Sequence, residues 1–245
     1  MRCRLLLILV LTAGTAAAQE VATAVVPVVG SVVGATMVRW QTDVEVVNDT
    51  GQDVDFSMEL PLAPGLAEMA TTLSRGQSLR FPNVTRQLFG LDHVLSPLVV
   101  RTFGRRSVTV RANVYAIREG GQPSAAQPIS VFIGASFFPV RVLDGLAFSD
   151  DFRTNIGLVN FGEREADFVL ALQRIPGRTI AASRVRVPAG SMIHTSIQSL
   201  FPLISKGSGF AVVVETISPE TYVYGSVIES STQAGTFVAP RVGLR

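Results

Sequence analysis

The chain has 245 residues, 47% of them apolar, and its 21 Lys and Arg stand against 19 Asp and Glu for a formal charge of +2. Arg2 and Arg4 carry that excess, so residues 19–245 are formally neutral and lack the basic field expected of a binder of nucleic acid or anionic lipid. Cys3 is the only cysteine, which excludes disulfides and cysteine metal sites from the chain beyond it.

The opening MRCRLLLILVLTAGTAAAQ reads as a leader. Arg2 and Arg4 form a basic start, Leu5 to Leu11 is an apolar run too short to cross a bilayer, and Ala16-Ala17-Ala18 is a cleavage signal. Residues 1–18 are expected to be a signal peptide, and the rest an exported chain of the periplasm or exterior. A single lysine, Lys206, amid abundant Ala, Val and Gly suggests a GC-rich bacterial genome. The next stretch, VATAVVPVVGSVVGATMV (21–38), has the length of a membrane helix and a Gly30-x-x-x-Gly34 spacing. Pro27 and the β-branched residues favour a strand instead. Its counterpart later in the chain carries Arg141, Asp144, Asp150 and Asp151. No membrane span is expected after the leader.

From residue 38 the local period is two. In DVDFSMEL (53–60), Val54, Phe56, Met58 and Leu60 point one way, and Asp53, Asp55, Ser57 and Glu59 the other. Val44 and Val46 mark the preceding strand, and Asn48-Asp49-Thr50-Gly51 the turn between them. The same text returns 112 residues later. EADFVLAL (165–172) turns Phe168, Leu170 and Leu172 inward after Ile156 and Leu158, with Asn160-Phe161-Gly162 at the turn. At that offset Pro27 falls on Pro139, Trp40 on Phe152, Thr42 on Thr154, Asn48 on Asn160, and Leu88-Phe89 on Leu200-Phe201. Later VVRT (99–102) lies over VVET (213–216), and VYA (114–116) over VYG (223–225). SFFPVRV (136–142) is echoed by TFVAPRV (236–242). Helical turns are expected near 84–91 and 196–203. A repeat this long is a tandem domain and not a solenoid. The reading is all-β: two tandem antiparallel β-sandwich (Ig-like) domains, 19–136 and 137–245, with FFPVRV as a strand-like joint giving a stiff rod.

VVPVV (25–29), WQTD (40–43), VVN (46–48), LFG (88–90) and FFPV (137–140) together resemble an uncharacterised tandem β-sandwich repeat of exported bacterial (acidobacteria-like) proteins. The second unit departs from the pattern with Asn155, LFP and FVAP. The resemblance implies an exported sandwich, often joined to other extracellular modules, and implies no activity.

Residues that could carry chemistry are few. Asp53 with Asp55, and Glu165 with Asp167, recur on the outward strand face. With Asp49 they offer oxygens for calcium, but lack a glycine-kinked binding loop, and they read as a solvated face that discourages edge pairing. Trp40, the only tryptophan, becomes Phe152 in the repeat and reads as a packing residue. His93 and His194 occupy different places in the two units, and no nucleophile elbow, zinc motif or phosphate loop accompanies them. No catalytic, cofactor-binding or metal residue is assigned, no cofactor is expected, and the chain does not read as an enzyme. An outer-membrane barrel would need two aromatic girdles, and one Trp and three Tyr cannot supply them. The expected function is a non-enzymatic structural or protein-interaction role at the cell envelope or exterior, with an unknown protein or envelope component as partner. The alternative is a ligand-binding module for glycan or calcium using the loops 119–128 and 216–220.

Overall fold

Alternating apolar residues separated by Asn, Asp and Gly turns give strands, and nearly every element is one. A computed structural model describes residues 21–34, 37–61, 68–104, 107–117, 121–133, 138–175 and 177–243. The expected signal peptide lies outside the described residues.

The first set comprises β1 (Val21–Val33), β2 (Arg39–Val47), β3 (Val54–Glu59), β4 (Glu68–Leu73), β5 (Ser78–Phe81), α1 (Val84–Phe89), β6 (Val94–Phe103), β7 (Thr109–Ile117), β8 (Gln127–Ile129) and β9 (Phe132–Ile133). The second follows the same order. It comprises β10 (Val140–Phe148), β11 (Phe152–Asn160), β12 (Ala166–Ile175), β13 (Arg178–Val187), β14 (Ser191–Ser196), α2 (Ile197–Leu200), β15 (Gly207–Glu215), β16 (Thr221–Glu229), β17 (Gly235–Val238) and β18 (Arg241–Val242). Pairing repeats strand for strand except at one place: the end of β1 also pairs with β2 (Ser31 opposite Gln41), which joins the first set into one nine-stranded sheet, whereas the second set forms two separate sheets. Sheet order β4-β3-β6-β1-β9 in one set answers β13-β12-β15-β10-β18 in the other, and β5-β2-β7-β8 answers β14-β11-β16-β17. Among the described residues each sandwich thus sets five strands against four, where a constant-type immunoglobulin domain sets four against three. All pairings are antiparallel. The stretch 21–38 contains a strand, as its β-branched residues predict, and no described helix is long and apolar enough to cross a membrane.

The inward faces match the period-two reading. Val44, Val46, Val54, Phe56, Met58 and Leu60 sit in one buried cluster. Ile156, Leu158, Phe168, Leu170 and Leu172 sit in another. Burying one such side chain stabilises by about 1.5–3 kcal/mol. Helical turns α1 and α2 close corresponding corners, with Val84 and Ile197 buried.

The turn asparagines are structural. Asn160 Nδ2 donates to the carbonyls of Arg164 (2.7 Å), Val187 (3.0 Å) and Pro188 (3.0 Å), while its Oδ1 accepts from Gly162 N at 3.1 Å. Asn48 does the same with Gln52 O, Leu73 O and Thr50 N. Each side chain pins the turn after one strand to the end of another. Asn160→Ala leaves buried carbonyls unpaired and is expected to cost about 2–3 kcal/mol in urea unfolding. A loss under about 0.5 kcal/mol contradicts this role.

Two details of the repeat are corrected. Gly30 N donates to Thr42 Oγ1 and Ala147 N to Thr154 Oγ1, so Gly30 corresponds to Ala147, a spacing of 117 and not 112. Pro27 therefore does not correspond to Pro139. The first strand carries the same bulge in both sets, between Val26 and Val29 and between Leu143 and Leu146. In β1 it holds Pro27 opposite Pro97, two residues that cannot donate to a ladder. In β10 it holds Gly145 at φ 72°, a left-handed conformation that glycine adopts without strain. Likewise Ala112 and Gly225 face Val44 and Ile156, so VYA does not overlie VYG.

The rod is also corrected. A third buried cluster joins the two sets, with Val159, Tyr222 and Tyr224 of the second packed against Val28 and Phe132 of the first, beside Met192 and Phe237. Phe132 stacks on Tyr222 with ring centroids 4.4 Å apart and planes 3° off parallel. β14 lies against β6 and β16 against β1. The sandwiches therefore pack sheet on sheet. The cause is readable in β16, where five consecutive residues from Thr221 to Gly225 are buried. A strand covered on both faces has no polar alternation.

Candidate functional site

The outward faces of the four-stranded sheets show what the interface selects. In the first sandwich Glu45 lies between Arg80 and Arg111, with Arg111 Nη1 at 3.2 Å from its Oε2. In the second the matching residues are Gly157, His194 and Tyr224. A Cβ on Gly157 would lie 2.0 Å from Tyr224 Cε1, so the tyrosine ring crosses the strand over the glycine. It reaches His194, whose Nδ1 shares a 2.8 Å hydrogen bond with the Tyr224 hydroxyl. Burial lowers the His194 pKa to about 4 and pushes that of Tyr224 well above the ordinary tyrosine range. Tyr222 is raised to about 12 by burial, offset in part by Arg141. Tyr224 is buried and His194 half-buried, on the sheet that packs against the first sandwich. Gly157→Ala is expected to cost about 1–3 kcal/mol by overpacking, read as a lower urea midpoint; an unchanged midpoint would show that the ring moves aside freely.

Other residues considered from sequence are engaged locally. Asp55 accepts from Thr72 Oγ1 at 2.6 Å and Asp53 from Arg75 N at 2.9 Å. Asp167 takes both Arg184 Nε and Nη2, and Arg186 lies near Glu165 and Asp167. These hydrogen bonds and ionic interactions lower the Asp167 pKa, with Arg184 the largest cause. No group of three His, Cys, Asp or Glu suited to a metal occurs among the described residues. His93 is exposed in a bend at φ 61°. Trp40 is half-buried at a sheet end against Gly34, while Phe152 is exposed. The expected ligand loops have different neighbours: Gly121, Gln122 and Ser124 line a cleft with Ser231 and Thr232, and Gln127 and Pro128 belong to strand β8. Glu220 instead lies over Gly162.

Sequence reasoning missed a buried anchor and an open face. Asp43 is buried, accepting from Arg80 Nη2 (3.0 Å) and Asn83 N (2.8 Å), and it fixes the start of α1. The open face is the outer side of β13-β12-β15-β10-β18. Val140, Val142, Ala211 and Val213 floor a groove of about 610 Å³ there. Its rim holds Arg174, Glu215 and the paired Asp144 and Arg241, and Val169 beside it is 45% exposed. The signal for it was present: Val169, Ala171 and Val213 break the polar outward register of their strands.

No family model matches the chain, and none of the curated proteins or solved structures compared with it gives a match. The fold and these surfaces define a class: an all-β protein of two antiparallel sandwiches joined sheet to sheet, with one apolar sheet face left open.

Proposed function

We propose that the protein is an exported, non-enzymatic component of the bacterial cell envelope or exterior that acts by contact with another protein. The observation that carries this reading is the open face of the second sandwich, an apolar floor with charged groups at its rim, which is the anatomy of a protein interface. The half-buried His194 and the buried Tyr224 hydroxyl are hydrogen-bonded to each other on the sheet that packs against the first sandwich, which fits a structural role for the pair. Leader-like residues 1–18 support export.

A thermal-shift screen against calcium, other divalent metals and a glycan panel tests it. A ligand at about 100 times its Kd adds about 2.7 kcal/mol to native stability. A flat screen is the expected result. A clear shift with one metal or sugar overturns the reading in favour of a small-ligand module. Export is checked by fractionating cells that express the full chain: the expected product begins at Gln19 and lies outside the cytoplasm, and an uncleaved cytoplasmic product contradicts it.

A further inference from the structure

The five-stranded sheets of the two sandwiches are built alike, but their outward faces are treated differently. Val25, Ser57 and Val99 of the first correspond to Val142, Val169 and Val213 of the second. In the first sandwich all three are buried, at 2–3% exposure, on the side where β14 and β16 of the second sandwich pack. In the second sandwich Val142 is likewise buried, at 7%, but Val213 is half-buried and Val169 is 45% exposed, so the face is open on its β12–β15 side. It is also the more apolar of the two: Val169 stands for Ser57, and Ala171 stands for Glu59, which in the first sandwich is ion-paired with Arg101. A face more apolar than its covered twin is not a solvent face.

The rim indicates what covers it. Arg174 lies at one end, over the Phe210 ring at 5.6 Å. Glu215 lies at the other end of β15, and neither is in an ion pair among the described residues. Gln173 is opposite Ala211 and Val169 opposite Glu215, so the two ends are about 13 Å apart at about 3.3 Å per residue. The remaining rim charges neutralise one another, Asp144 with Arg241, and Arg184 and Arg186 with Asp167 and Glu165.

We propose that this face pairs with the same face of a second copy of the chain, about a two-fold axis that passes near Ala171 and Val213 and runs across the strands. That axis brings Arg174 of each copy over Glu215 of the other and closes the assembly at two, as an isologous contact does. The alternative donor face of a second copy, that of β5-β2-β7-β8, presents Glu45, Arg80 and Arg111 and would bury ions against valines. The inference rests on the protein-contact reading above and names its partner.

Sedimentation equilibrium of the purified exported chain at about 0.15 M salt tests it. The expected result is a monomer–dimer equilibrium. Val213→Arg should leave a folded monomer. Arg174→Glu should weaken the dimer about tenfold or more, and Arg174→Glu combined with Glu215→Arg should restore it. Val169→Arg, at an exposed position, serves as a second disrupting variant if Val213→Arg misfolds. A monomer at every concentration, or a dimer indifferent to these changes, overturns self-pairing. With a flat ligand screen, that outcome leaves the protein-contact reading standing. With a sugar or metal shift, both fall.

Discussion

Phe168→Ala is expected to destabilise the chain by about 3–5 kcal/mol. The ring is fully buried in β12 and faces the core of the second sandwich with Leu170 and Leu172. Val185, its cross-strand partner on β13, packs on the same cluster. Truncation removes the transfer energy of the ring and leaves a cavity that two hydrogen-bonded sheets cannot close. Without a disulfide, nothing but packing offsets the loss. At about 2–4 °C per kcal/mol for a chain of this size, the melting temperature should fall by roughly 10 °C. The control is one residue away. Val169 points outward and is 45% exposed, so Val169→Ala should change stability by less than about 1 kcal/mol. Equal losses from the two substitutions would mean that β12 is assigned to the wrong face.

Acid should weaken the same sandwich through His194. Its pKa falls from 6.5 to about 4 in the folded chain because burial disfavours the imidazolium. The unfolded chain then binds more protons than the folded one between these values. Stability from this group is complete above about pH 6.5, is lost as pH falls toward 4, and amounts to about 3 kcal/mol at the acid end. Most carboxylates titrate below pH 5, so the window from 6.5 to 5 isolates the histidine. His194→Gln keeps a polar partner for the Tyr224 hydroxyl and removes the titration. Urea midpoints for the wild-type chain should fall across that window while those of the variant stay level; parallel curves would show that His194 is not shielded in the interface.

The inward strand faces, the two helical turns and the tandem arrangement were legible because they rest on alternation and on residues such as Asn48 and Asn160, whose side chains do the same work twice. The register of the first strand was not. Its bulge is made by Pro27 opposite Pro97 in one sandwich and by Gly145 in the other, two solutions to one backbone problem with no letters in common. The shared prolines of VVPVV and FFPVR then drew the alignment five residues out of place. The interface was hidden for another reason. Tyr222 and Tyr224 look like outward aromatics until Phe132, Phe161 and Gly157 are seen around them. Glu45, Arg80 and Arg111 occupy the corresponding face of the first sandwich as ordinary surface charges, so comparing the two copies marks one face as covered and the other as open. The apolar face of β12 and β15 was visible in Val169, Ala171 and Val213, but only the pairing of strands shows that these residues adjoin.

Sheet-on-sheet joining of the sandwiches underlies both the shielding of the His194–Tyr224 pair and the contrast between the covered and open faces, and nuclear Overhauser measurements on the aromatic rings test it most directly. The chain has only three tyrosines, so selective labelling of Tyr and Phe gives few signals, and Phe132→Leu identifies those of Phe132. Ring centroids 4.4 Å apart predict strong cross-peaks between Phe132 and Tyr222 that vanish in the variant. A folded protein with no such cross-peaks would contradict the joining of the two sandwiches.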